Sequence, residues 1–187
     1  PPLLQKISRI FIASMKLGYI PKSWRTSNVV FIPKPGKSRY DHPKSYRAIS
    51  LMSFLFKAFE RCVHWHITEQ YFQKGNGLHK NQFAYRRGFS TDAALSKAVN
   101  FIEKAVLNKG EAIGIFMDIA GAFDNISHDY IIRQCSQHNF SPELTTWLNF
   151  FLRNRYVTVT KGTTTKHHKV KKGCPQGGVL SPLIWNI

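Results

Sequence analysis

Acidic residues are scarce in this chain, so an acid set among apolar residues stands out. Asp118 directly follows Ile113-Gly114-Ile115-Phe116-Met117. A carboxylate at the end of such a run must be hydrogen-bonded, paired or bound to a cation, because an uncompensated charge in an apolar setting is costly. In a protein that handles phosphates the natural cation is Mg²⁺, held by one or two carboxylates together with substrate oxygens. The competing reading is an Asp that caps the turn at Ala120-Gly121, and spacing alone leaves the two even. Asp124 follows as a second ligand or, more simply, as a cap for a helix starting near Ser127. A second string, Gly173-Cys174-Pro175-Gln176-Gly177-Gly178, joins a basic stretch to an apolar one. Its glycines let backbone approach a ligand closely, and Gln176 offers an amide to a base or phosphate. Alone, such a string usually only turns the chain. Cys174 has no visible activating neighbour. His64 and His66, two apart on a helix, face different ways and make a poor metal pair. His167 and His168 face solvent or phosphate. No Ser/His/Asp arrangement is legible.

These residues need elements to position them. Residues 3–17 carry apolar side chains at helical spacing, closed by Gly18. Val29-Val30-Phe31-Ile32 is a short strand stopped by Pro33 and Pro35, and 48–52 is a return strand across a polar loop. Residues 53–72 form a long helix capped by Ser53 and broken at Gly75 and Gly77. Thr91 caps a helix through Asn108, which Gly110 ends. Residues 112–119 are a continuous apolar run of the kind buried on both faces of a sheet. Helices follow at 127–138 and 141–154, with Pro142 suited to a first turn. Residues 155–161 and 165–172 flank Gly162 as a hairpin of alternating Val and Thr. Val179 begins a further element. The pattern is α+β, with helices and hairpins sharing one sheet.

Charge narrows the function. Of 187 residues, 27 are Lys or Arg and 10 are Asp or Glu, a formal net charge of +17. From Leu144 onward there is no acid, whereas Arg153, Arg155, Lys161, Lys166, Lys169, Lys171 and Lys172 all lie there. A second basic run is Lys34, Lys37, Arg39, Lys44 and Arg47. Such a chain needs a polyanion: nucleic acid first, an anionic membrane surface second. With 43% apolar and 13% aromatic residues it is neither disordered nor collagenous. No apolar run reaches the ~18 residues of a spanning helix. The three cysteines, Cys62, Cys135 and Cys174, form neither a disulfide framework nor a CxxC site, which points to a reducing compartment. The chain starts Pro1-Pro2 without Met and stops at Ile187 inside an apolar run, which reads as a stretch of a longer polypeptide.

Taken in order, the strings resemble the reverse transcriptase domain of LINE-type (non-LTR) retrotransposons, in the jockey-like group. They are Ile20-Pro21-Lys22-Ser23-Trp24-Arg25, Phe31-Ile32-Pro33-Lys34-Pro35-Gly36-Lys37, Ser45-Tyr46-Arg47-Ala48-Ile49-Ser50-Leu51 and Phe54-Leu55-Phe56-Lys57-Ala58-Phe59-Glu60. Asn81-Gln82-Phe83-Ala84-Tyr85-Arg86 and Gly88-Phe89-Ser90-Thr91 follow. The most specific are Met117-Asp118-Ile119-Ala120-Gly121-Ala122-Phe123-Asp124 and Gly173-Cys174-Pro175-Gln176-Gly177-Gly178-Val179-Leu180-Ser181-Pro182-Leu183.

The resemblance implies a right-hand polymerase: a helical lead-in at 1–20, fingers at 21–88, palm at 89–127, a return to the fingers at 128–176, and a second palm segment from 177–187. It implies RNA-directed DNA synthesis from deoxynucleoside triphosphates, with an RNA template and a DNA primer or target as partners. Asp118 would be catalytic and bind Mg²⁺ (or Mn²⁺), with the Ile119 carbonyl as a second ligand. Lys34 and Arg47 would hold the triphosphate, and Gly121 and Ala122 would let it pass close to the backbone. Phe123 would exclude a ribose 2′-OH, and Gln176 would pack by the new base pair. Gln82 and Arg86 belong to the string associated with template contact, and Lys169, Lys171 and Lys172 to a phosphate-gripping hairpin. No membrane is implied. The compartments are a cytoplasmic ribonucleoprotein and the nucleus, and further partners are the rest of the parent polyprotein. Ala48 departs from a frequent Pro, and Ala84-Tyr85-Arg86 from a frequent Gly-Phe-Arg. The family's aromatic-x-Asp-Asp turn and thumb lie downstream of this stretch, so the chain alone is expected not to polymerise. A decayed or co-opted module that binds nucleic acid without catalysis is the alternative.

Overall fold

A computed structural model describes residues 2–72 and 77–187; Gly75 lies outside the described residues. The elements run α1 (Pro2–Leu17), α2 (Lys22–Arg25), β1 (Thr26–Pro33), a 3-10 turn (Pro43–Ser45), β2 (Tyr46–Leu51), α3 (Phe54–Ile67) continuing as a π turn (Thr68–Phe72), and α4 (Thr91–Leu107). Then come α5 (Ala122–Asn125), α6 (His128–Gln137), α7 (Pro142–Arg153), β3 (Tyr156–Lys161), β4 (Thr164–Lys169) and α8 (Ser181–Asn186).

The helices hold the core. Trp147 is fully buried; it stacks on Phe151 at 5.7 Å and meets Phe59 edge-on at 5.2 Å. Its indole N–H donates to Ser14 Oγ at 3.1 Å, so the polar end of this large side chain is also satisfied. Phe56, Phe59 and Trp24 continue the aromatic cluster, and Leu144, Leu148, Leu152 and Ile131 fill the space between α6 and α7. Gly18 ends α1 as anticipated. It has φ +57°, its N–H bonds to Met15 O, and the Tyr19 N–H reaches back to Ser14 O, a Schellman arrangement. A Cβ at Gly18 would also lie 2.8 Å from Thr146 Cγ2, so α1 docks on α7 only because the residue is glycine.

One mixed four-stranded sheet, in the order β2-β1-β3-β4, extends from this core. β1 pairs antiparallel with β2 and parallel with β3, and β3 pairs antiparallel with β4 across Gly162. Ser27, Ser50 and Thr158, at the core end, are buried, whereas the far ends of the strands are exposed. The register places Phe31 opposite Ala48, and Ile32 opposite Arg47. Side chains alternate along a strand, so Arg47 and Ile49 share one face while Ala48 and Ser50 share the other.

Three expectations are corrected. The N-cap of α4 is Ser90, whose Oγ accepts from the Ala93 N–H, not Thr91. Ser53 precedes α3 without a side-chain cap bond. The larger correction concerns 112–119, which forms no strand: the segment is exposed throughout, Phe116 to 99%. A two-sided apolar run needs ladder partners on its edges and cover on its faces, and no strand among the described residues pairs with it. α4 likewise buries none of its residues, leaving Leu95, Phe101, Val106 and Leu107 exposed.

Trp147→Ala should therefore destabilise the chain by about 3–5 kcal/mol in urea unfolding, through the cavity and the lost indole hydrogen bond to Ser14 Oγ. Phe101→Ala should change it by less than about 0.5 kcal/mol. Equal effects would mean that α4 is packed.

Candidate nucleotide and nucleic-acid site

The two chemically suggestive strings meet at Gly173. Its N–H donates to Ile126 O at 2.8 Å, and the Cys174 N–H donates to Phe123 O at 2.7 Å. A Cβ on Gly173 would sit 2.6 Å from the carbonyl oxygens of both Phe123 and Asp124, closer than any side chain can come. Its φ of +80° also favours glycine. The Gly173 carbonyl in turn accepts from Arg155 Nη2 and, at 3.0 Å, from His128 Nε2. A carbonyl can only accept, so that imidazole nitrogen carries the proton. Burial lowers the His128 pKa from its ordinary value, partly offset by this bond.

Residues beyond Gly173 are fixed against β2 and α3. The Gln176 carbonyl accepts the Ser50 N–H at 2.8 Å, on the side of β2 turned away from β1. A Cβ on Gly177 would lie 2.9 Å from Ser50 O, and its φ is +108°. Ser181 Oγ donates to Pro175 O at 2.7 Å. Glu60, fully buried on α3, accepts the Val179 and Leu180 N–H groups at 3.3 and 3.5 Å. Burial pushes its carboxyl up to about 7; the two N–H bonds and the charges of Lys57 and Arg155 pull the other way. Burial pulls Arg155 down to about 10 and pushes the Cys174 thiol up to about 12, so Cys174 is no nucleophile, as its surroundings in the sequence implied.

Two concavities flank this loop. The smaller, about 260 Å³, is lined by Tyr85, Phe123, Gln176, Gly177, Gly178 and Pro182, among others. Phe123 packs between Tyr85 at 6.1 Å and Trp185 at 5.7 Å. Tyr85 holds φ +57°, an uncommon conformation for a bulky residue and typical of functional sites. The larger, about 540 Å³, runs along the sheet face of Phe31, Ala48, Val157 and His168 and reaches Asp124, Lys171, Lys172 and Gln176.

Of the remaining sequence candidates, Ile119 and Ala122 share a further concavity of about 440 Å³. Asp118 and Ile119 are exposed on the unpaired segment. Among the described residues the one ion pair is Arg153 with Asp129, so Asp118 has no cationic partner, and no three His, Cys, Asp or Glu residues cluster as a metal cage. One carboxylate beside one carbonyl is a hard oxygen donor set. It fits a cation that takes its other ligands from substrate and water, such as Mg²⁺, and not one needing a full protein cage. Asp124 sits in α5 and caps nothing among the described residues; Asn125 instead donates to Ala120 O. Gly121 has φ +61° and Ala122 opens α5 behind it. Lys34 Nζ donates to Lys44 O at 2.9 Å, and Arg47 is exposed at the same end of the β1–β2 pair. The Gln82 amide is engaged with Asn186 Oδ1 at 2.9 Å, and Arg86 lies over the Phe89 ring at 4.3 Å. Lys172 Nζ donates to Asn125 Oδ1, and Lys169 faces away from the larger concavity, on the side of Tyr156. His167 Nδ1 meets Thr158 Oγ1 at 3.0 Å.

Sequence reasoning missed Glu60, His128 and Arg155. Arg155 was counted with the phosphate-facing cations but is buried. Nothing in the pattern marks a buried charge. The only available signal for Glu60 was an acid set between Phe56, Phe59 and Val63 on an apolar helix face.

The family model described as reverse transcriptase (RNA-dependent DNA polymerase) matches residues 32–187. The chain is 33% identical to the RNA-directed DNA polymerase from mobile element jockey of Drosophila melanogaster, over 98% of this chain and 20% of that protein. It is 31% identical to the probable RNA-directed DNA polymerase from transposon X-element of the same organism, over 96% of this chain and 20% of that protein. The corresponding protein from transposon BS is 28% identical over 97% of this chain and 20% of that protein. The chain thus spans about one fifth of the length of the curated relatives it matches. No helix among the described residues is long and apolar enough to cross a membrane.

The Glu60 environment gives a signed prediction. A carboxyl raised from 4.5 to about 7 contributes stability below pH 4.5 that is lost as pH rises towards 7. Relative to Glu60→Gln, the wild-type chain should lose about 3 kcal/mol of unfolding free energy over that window. The His128 contribution runs the other way but cancels in the difference. A flat difference would show that Glu60 ionises normally.

Proposed function

The chain belongs to the reverse transcriptase family, and from that membership we propose that it forms the fingers (21–88 and 128–176) and part of the palm (89–127, resuming at 177–187) of a retrotransposon-encoded RNA-directed DNA polymerase. The observation that carries this reading is the convergence of Phe123 and Gln176, from distant strings, on one concavity floored by Gly177 and Gly178. In this reading an incoming nucleotide lies there. The Phe123 ring, wedged between Tyr85 and Trp185, stands where a ribose 2′-OH would need room, and Gln176 borders the new base pair. Lys34 and Arg47 supply positive charge for the triphosphate, since phosphoryl transfer is mostly positioning and charge neutralisation. Gly121 and Ala122 present no bulk on the approach. Asp118 and the Ile119 carbonyl would hold the divalent cation, Mg²⁺ or Mn²⁺. When bound, that cation lowers the charge barrier between a primer 3′ oxygen and the nucleotide phosphates. Lys169, Lys171, Lys172, Gln82 and Arg86 border the paths open to template and primer, and the net charge of +17 favours both.

A second reading, nucleic-acid binding without synthesis, is favoured by the single carboxylate at Asp118. Primer extension separates the two. The polypeptide carrying this chain should extend a DNA primer on RNA, and Asp118→Asn should cut extension by about a hundredfold or more while primer–template affinity stays within about twofold. Binding without extension would leave only the second reading. The 187-residue chain by itself should bind and not extend; robust magnesium-dependent extension by it would refute the assignment of Asp118 as an incomplete ligand set. Affinity for single strands should fall with salt at about −0.7 log units per log unit for each contacted phosphate. Replacing Lys169, Lys171 and Lys172 together by Ala should flatten that slope, and an unchanged slope would remove the hairpin from the interface.

A further inference from the structure

Glu60 lies on α3, an element that lends no side chain to the concavity of Phe123 and Gln176. It is nevertheless fully buried, amid Phe56, Phe59 and Val63 of its own helix. A carboxylate in such a place is costly unless its oxygens are used. Both are: Oε2 accepts from the Val179 N–H and Oε1 from the Leu180 N–H. The loop is cut to fit this contact. A Cβ on Gly178 would come 3.2 Å from Glu60 Oε1 and 2.7 Å from Ser181 Oγ, so a larger residue there would crowd Ser181 and press on the carboxylate. Two residues earlier, the Gln176 carbonyl is pinned to the Ser50 N–H of β2. The segment 176–180 is therefore stretched between β2 at one end and the Glu60 carboxylate at the other.

We propose that Glu60 is a positioning residue for the nucleotide site, fixing Gln176 and Gly177 by holding the Val179 and Leu180 amides from below. This deepens the polymerase reading and rests on it. The two acceptors matter. A Gln side chain keeps one acceptor oxygen and turns N–H donors towards the second amide, whereas Ala leaves both amides without a partner. The cationic groups that act on the carboxyl are Lys57 on its own helix and Arg155 before β3. Neither forms an ion pair with it among the described residues, so the amides are its principal partners.

The test compares wild type, Glu60→Gln and Glu60→Ala in the polypeptide carrying this chain. It measures steady-state single-nucleotide incorporation, primer–template affinity and thermal stability at one pH. Glu60→Ala should raise the nucleotide KM about tenfold, with kcat and primer–template Kd each within about threefold. Glu60→Gln, which preserves volume and one acceptor, should fall between and so rescue in part; it also carries the test if the Ala variant does not fold. An unchanged nucleotide KM in an extending enzyme overturns the positioning role alone. So does a loss of KM, kcat, Kd and stability together, which would make Glu60 a general core residue. A wild-type polypeptide that binds primer–template but never extends it overturns the polymerase reading and this inference with it.

Discussion

At Gly173 two lengths of backbone pass so close that no side chain fits between them. On one side are the carbonyls of Phe123 and Asp124, which follow the Asp118 string, and on the other is the start of the Pro-Gln-Gly loop. This contact carries the candidate site, because it fixes the distance between Phe123 and Gln176. It is expensive to build. The Gly173 carbonyl is buried and takes donors from Arg155 and His128, both withdrawn from water. Among the described residues Arg155 Nε has no partner, and burial lowers the His128 pKa. A buried guanidinium is destabilising unless its hydrogen bonds fix something specific, and here they fix the junction of the two strings.

The same economy explains how charge is used across the molecule. Lys37, Arg39, Lys44, Arg47, Lys161, Lys166, Lys169, Lys171 and Lys172 stand exposed on the sheet and its loops, where water and counterions solvate them. The few charges taken inside, Glu60 and Arg155, hold backbone. The helical core of Trp147, Phe56, Phe59 and Phe151 contributes the bulk of the apolar burial and gives the thin, largely exposed sheet a rigid base. Only Ser27, Ser50 and Thr158 anchor that sheet, and Ser50 also meets Gln176. Motion of the sheet against the core would therefore be felt at the loop.

Much of this was legible in the sequence. Helical spacing with Gly18, Pro142 and Gly162 gave α1, α7 and the β3–β4 turn close to their observed bounds, because caps and turns are set by local sterics. The order of the strings gave the family. The apolar run before Asp118 misled for a physical reason. A two-sided hydrophobic strand pattern reports what a segment can bury, whereas a ladder also needs a partner strand, which is not a property of the segment. Buried charge was illegible because nothing separates Glu60 or Arg155 from a surface residue until long-range neighbours such as Val179 and Gly173 arrive. Lys34 and Gln82 are drawn into contacts with Lys44 and Asn186 that spacing does not encode, and Arg47 is exposed.

The central claim is that the concavity of Phe123 and Gln176 holds the sugar and base of an incoming nucleotide. The most direct measurement is the ratio of deoxyribonucleotide to ribonucleotide incorporation by the polypeptide carrying this chain, before and after Phe123→Val. If the ring stands against the 2′ position, ribonucleotide incorporation should rise by about tenfold or more with deoxyribonucleotide use largely retained. An unchanged ratio in an active enzyme would mean that the nucleotide binds elsewhere and that the convergence of the two strings serves packing alone.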